Sequence, residues 1–147
     1  MNRSLSQMLA VSASPDTQYD PEALLRRAES AAAFQLLSSH SEDDLLCLEL
    51  SSGGEVFHAE ICPVEFQLPE LYRCQHLFPD VDAEAIERAR IGLSVEMEFG
   101  ADPLASYHLQ LRLICSLVPE LLAVIDDSSE KILSGRWVTL AARSQVA

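Results

Sequence analysis

Apolar residues change period several times along this chain, and each change marks a predicted element. A short apolar run over residues 8–14 predicts a first strand. Asp20 followed by Pro21 predicts a helix start, with Asp20 as N-cap and Pro21 at the first helical position, where its missing N–H costs nothing. Leu24, Leu25, Ala28, Ala31 and Ala32 form the inward stripe of that helix. Residues 34–37 can extend that helix or begin another strand, with the strand the preferred reading, and residues 40–44 are expected to be a polar connection.

Two apolar-rich runs, residues 45–50 and 55–62, flank Gly53-Gly54, the signature of a hairpin with a tight turn. With an even-numbered loop, Leu46, Leu48 and Leu50 share a face with Phe57, Ala59 and Ile61, a coherent core face. Residues 80–90 read as a short helix with acids early and Arg88 and Arg90 late, in the order that complements the helix dipole. Ile91, Leu93, Val95, Met97 and Phe99 alternate with Gly92, Ser94, Glu96 and Glu98, as in a half-buried strand. Asp102 and Pro103 then open a helix with the stripe Leu104, Tyr107, His108, Leu111, Ile114, Cys115 and Val118, ended by Pro119. Residues 121–125 are apolar throughout, as an interior strand requires. A final helix capped by Ser134 carries Trp137, Leu140 and Ala141.

Strand, helix and strand in this order form a right-handed βαβ crossover if the two strands are parallel neighbours. The expected fold class is therefore α+β: one domain over residues 1–147, a mixed β-sheet with helices packed on it, including a C-terminal βαβ unit.

Charge narrows the partners. The chain has 23 Asp and Glu against 10 Lys and Arg, a net charge of −13. The acidity is spread, −8 over residues 1–73 and −5 over residues 74–147. Phosphate binding needs clustered cations, so nucleic acid is not an expected partner, and an anionic membrane surface is disfavoured too. A basic protein partner is compatible. No run approaches the length of a membrane span, and the first residues lack a secretory h-region. Cys47, Cys62, Cys74 and Cys115 show no C-x-x-C spacing and read as reduced thiols in the cytoplasm.

The chemical candidates are few. On the second face of the hairpin, Cys47 and Glu49 accompany His58, Glu60 and Cys62, and Cys47, His58, Glu60 and Cys62 are zinc-ligand types. Positions 58 and 62 lie about 13 Å apart on an extended strand, too far for one ion, so no metal or other cofactor is expected. The acidic run of residues 126–130 follows an apolar strand, a common place for a ligand, but it reads more readily as a solvated turn leading to Ser134. His108 reads as a core or boundary histidine. Tyr72, Arg73 and Trp137 are residue types enriched in interface hot spots and are the interface candidates, although Trp137 also fits a core position. No nucleophile elbow or phosphate loop is present, and no catalytic residue is assigned.

Tyr107-His108-Leu109-Gln110-Leu111-Arg112, Val118-Pro119-Glu120-Leu121-Leu122-Ala123-Val124, Asp126, Ser129-Glu130-Lys131, Arg136-Trp137-Val138 and Leu140-Ala141-Ala142 resemble an uncharacterised bacterial family of the domain-of-unknown-function type. The resemblance covers residues 90–144. It implies a stand-alone or fused accessory domain, sometimes followed by a further uncharacterised domain, and it brings no catalytic residue with it. The expected function is a cytoplasmic protein-binding module without catalytic activity. An immunity or inhibitor protein covering a basic toxin is one form of it. The alternatives are a small-ligand binder or metal-assisted enzyme using the 47–62 hairpin face or the 126–130 loop, and a homo-oligomeric structural domain.

Overall fold

The computed structural model describes residues 5–13, 19–64, 88–98, 102–126 and 131–144. Its elements in chain order are β1 (Leu5–Ala13), α1 (Pro21–Glu29), β2 (Gln35–Glu42), β3 (Leu45–Ser52), β4 (Glu55–Pro63), β5 (Ile91–Glu98), α2 (Pro103–Leu117), β6 (Glu120–Asp126), β7 (Lys131–Ser134) and α3 (Gly135–Ser144). Both Asp-Pro helix starts form as the sequence predicts. Asp20 Oδ1 accepts from the N–H groups of Glu22 and Ala23, and Asp102 Oδ1 accepts from the N–H of Ala105. The β3–β4 turn puts Gly53 and Gly54 at φ 58° and 86°, left-handed values that glycine adopts without strain. Ser52 pairs with Glu55, so the loop has two residues, and Leu46, Leu48 and Leu50 oppose Ile61, Ala59 and Phe57 in the predicted register.

Two expectations change, and a third lies beyond the described residues. Residues 40–42 are not part of a connection: β2 runs through them, and the turn into β3 is Asp43-Asp44, with Asp43 at φ 52°. An edge strand exposed on both faces needs no apolar alternation, so its sequence looks like a loop. Residues 131–134 form a short strand where a plain turn leading into the last helix was expected. The predicted helix over residues 80–90 falls almost wholly outside the described residues.

The seven strands form one sheet in the order β2-β3-β4-β5-β1-β6-β7. All six pairings are antiparallel. The domain is α+β with helices on the sheet, as expected, but among the described residues the sheet is antiparallel and not mixed. β5 and β6 do run in the same direction on either side of α2. They are not neighbours, because β1 inserts between them and pairs with both. The expected βαβ unit is therefore split: apolar pattern predicts strands and their direction of crossover, but not which strand from elsewhere fills the gap. The four strands β6-β1-β5-β4, with α1 and α2, have the order and directions of the split, ferredoxin-like β-α-β arrangement. Hairpin β2–β3 widens it at one end, and β7 with α3 extends it at the other.

One face of the sheet carries the main core. Met8, Leu46, Leu48, Leu50, Phe57, Ile61, Leu93, Val95 and Met97 meet Leu24 and Ala28 of α1 and Leu111, Leu113, Ile114 and Leu117 of α2. Phe34 and Phe57 stack edge to face, centroids 5.7 Å apart. A smaller cluster, Val11, Val64, Ala89, Ala123 and Ile125, lies apart from it. At the bulge between Val11 and Ser12, the buried Ser12 hydroxyl donates to Glu120 O at 2.7 Å and accepts from the Glu120 N–H at 3.2 Å. The hydroxyl thus adds a side-chain tie between β1 and the start of β6 beside the bulge.

Helix α2 turns differently from its predicted stripe. Leu104 is 67% exposed, while the polar Ser106 and Gln110 are buried. The fully buried Gln110 amide is held by three bonds: its Oε1 accepts from Ser6 Oγ at 2.7 Å, and its Nε2 donates to Val95 O at 3.0 Å and Ser6 O at 3.3 Å. A satisfied amide joins the helix to β1 and β5 without the penalty of a buried orphan.

Candidate functional site

The outward face of β3, β4 and β5 holds the polar residues singled out from sequence. Cys47 lies directly opposite Glu60, and Glu49 opposite His58, two rungs apart on the same face of the hairpin. Strand β5 adds Glu96 opposite His58 and Ser94 opposite Glu60. Sequence reading could not add Glu96, because the β4–β5 pairing joins segments far apart in the chain.

These residues share a face without converging. His58 Nδ1 stands 4.0 Å from Glu49 Oε2, with both side chains well exposed. Cys62 is buried at the other end of the strand, opposite Gly92. Among the described residues no group of three or more His, Cys, Asp or Glu is placed to hold a metal ion. Burial, then the carboxylates of Glu60 and Glu42, push the Cys47 thiol above its ordinary value, so it stays protonated and a weak nucleophile. Cys47, Cys62 and Cys115 form no disulfide.

At the turn end of this face, His58, Val56, Glu55, Glu96 and Glu98 line an open depression of about 380 Å³. It carries three carboxylates and one imidazole. The described ion pairs are His40 with Glu42 and His58 with Glu49, so no carboxylate among the described residues is paired with a Lys or Arg. Strand β2 ends the sheet beside this face: among the described residues it pairs with β3 on one side only, and seven of its eight residues are exposed.

The other candidates separate. Tyr72 and Arg73 lie outside the described residues, as do residues 127–130 of the acidic loop. Trp137 is 48% exposed on α3, with Leu140 one turn on at 57%, while Val138 and Ala142 face the core. Trp137 is thus not the core side chain its spacing also allowed. His108 is half-buried beside Tyr107, ring centroids 6.1 Å apart, and its buried Nδ1 has no hydrogen-bond partner among the described residues. No helix among the described residues is long and apolar enough to cross a membrane.

An antiparallel sheet with three helices and an acidic outer face defines an α+β domain with no converged catalytic centre among the described residues. The chain matches, over residues 6–147, the family described as "Protein of unknown function (DUF4026) N-terminal", and it belongs to that family. Comparison with curated proteins and with solved structures finds no match.

Proposed function

We propose that this domain is a protein-binding module that takes up an extended, lysine- or arginine-bearing segment of a partner against the outer edge of β2. The observation that carries this reading is the exposed, one-sided edge of β2 itself. An open edge presents a row of backbone donors and acceptors, and an added strand satisfies them. Natural edges are commonly blunted by Lys or Pro; β2 contains neither and has only a bulge between Leu36 and Ser38.

Charge selects the partner. Glu42, Asp43 and Asp44 are exposed where β2 turns into β3, and Glu49, Glu60 and Glu96 lie on the outward face. An added strand alternates its side chains between the two faces of the sheet. Basic residues on one side would meet the acidic face, and apolar residues on the other would meet the side where Leu36 packs on the core. A second copy of this chain is a poor occupant, since each copy brings a net charge of −13. An inhibitor of a basic toxin is one form of this reading. A cytoplasmic setting, where thiols stay reduced, suits its cysteines.

The test is a titration of the whole chain with a fluorescent eight-residue peptide alternating lysine and valine, beside one alternating glutamate and valine. Saturable binding of the lysine peptide is expected, weakened by salt and lost in the Ser39→Lys/Ser41→Lys double variant, whose positions are exposed. Equal binding of both peptides, no binding, or self-association through β2 in sedimentation would contradict the proposal.

A further inference from the structure

On the helical side of the sheet, a second concavity of about 310 Å³ opens between the three helices and β6. That volume falls in the range of small-molecule pockets. Its wall carries Arg27 from the last turn of α1 and Arg112 from α2. Among the described residues no carboxylate lines it, although the chain has 23 acids for 10 bases. Among the described residues neither guanidinium has an ion pair or hydrogen bond. The dipole of α1 accounts for a cation at Arg27, but Arg112 lies before the last turn of α2, where that effect has faded. Two arginines thus border one cavity whose described lining holds no carboxylate to pair with them.

We infer that this cleft is a binding site for a small organic carboxylate with an apolar body. Arginine suits the charged end, because its planar fork meets a carboxylate with two parallel hydrogen bonds. Val118, Leu121 and Ala142 also line it, which suits hydrocarbon and not a fully hydrated ion such as phosphate. Ser116 and Thr139 refine the class further. Their hydroxyls already donate to Arg112 O at 2.9 Å and Gly135 O at 2.8 Å. Each keeps only acceptor capacity for a ligand, so a hydroxyl or N–H group on the ligand is matched as well.

The probe is 4-hydroxybenzoate, which has a carboxylate, an apolar ring and a hydroxyl, measured by calorimetry against neutral 4-hydroxybenzamide and inorganic phosphate. The site predicts saturable binding of the benzoate and at least about tenfold weaker binding of the amide and of phosphate. Arg27→Gln and Arg112→Gln should each weaken the benzoate by about tenfold or more, with Arg→Lys variants losing less. Cys115 also lines the cleft, so bound benzoate should slow its alkylation by iodoacetamide, located by peptide mapping. Should Arg112→Gln fail to fold, Arg27→Gln and the Cys115 protection decide the matter. No saturable heat, equal affinity for amide or phosphate, or affinity unchanged by Arg27→Gln would overturn the inference.

Discussion

Gln110 shows how one side chain ties elements together. Its amide reaches β1 and β5 from α2 inside the main core, and replacing it with leucine removes a donor from Ser6 O and Val95 O. Gln110→Leu is expected to cost about 1–3 kcal/mol in urea unfolding. Ser6→Ala added to it should cost less than the sum of the two singles, because the pair share a bond. Nothing in the sequence flagged this residue: a glutamine between Leu109 and Leu111 reads as the polar face of an amphipathic helix. Only the packed sheet reveals polar partners on the buried side.

Tyr19 is a second residue with a measurable signature. Its hydroxyl donates to Ile61 O at 2.9 Å. Burial first, then nearby Cys62, Asp44 and Cys47, push it from an ordinary value of 10.0 up to about 12. The folded state favours the protonated phenol, so its contribution to stability is complete below pH 10.0 and is lost as the pH rises through about 12. In an alkaline absorbance titration, a component displaced above the ordinary tyrosine value of 10.0 toward about 12 should vanish in Tyr19→Phe. Loss of an earlier component instead would contradict this assignment.

Among the elements, the β3–β4 hairpin was legible down to its register, because period-two alternation and Gly-Gly specify the same answer. Strand β2 was half legible: Phe34 and Leu36 announced its start, but Ser38, Ser39, His40 and Ser41 carry no strand pattern. Helix α3 was found with the wrong face emphasised, since Trp137 and Leu140 draw the eye while Val138 and Ala142 do the packing. What seats α3 is Gly135. A Cβ there would collide with the backbone carbonyl of Leu121 in β6. Gly135→Ala should therefore destabilise the fold by about 1–3 kcal/mol, by the same mechanism as overpacking a core. A urea midpoint equal to that of the parent chain would show that α3 sits further from β6.

At the scale of the molecule, the α+β class was readable from the segment pattern. The strand order was not, because β1 enters between β5 and β6 from the far end of the chain. The hairpin candidates were correctly placed on one face, yet Glu96 beside His58 and the arginine-lined cleft depend on that long-range order. Part of the acidity acquires a location from the fold: among the described residues, carboxylates line the outer face and the β2–β3 turn, while arginines line the helical cleft. Long-range attraction to a basic strand, followed by backbone pairing at the edge, is the account this distribution supports.

Hydrogen–deuterium exchange along β2, with and without the lysine–valine peptide, tests that account most directly. Slowed exchange concentrated in Gln35–Glu42, reversed by salt, is the predicted result. Unchanged exchange in β2 at saturating peptide, or protection confined to the helices, would contradict it.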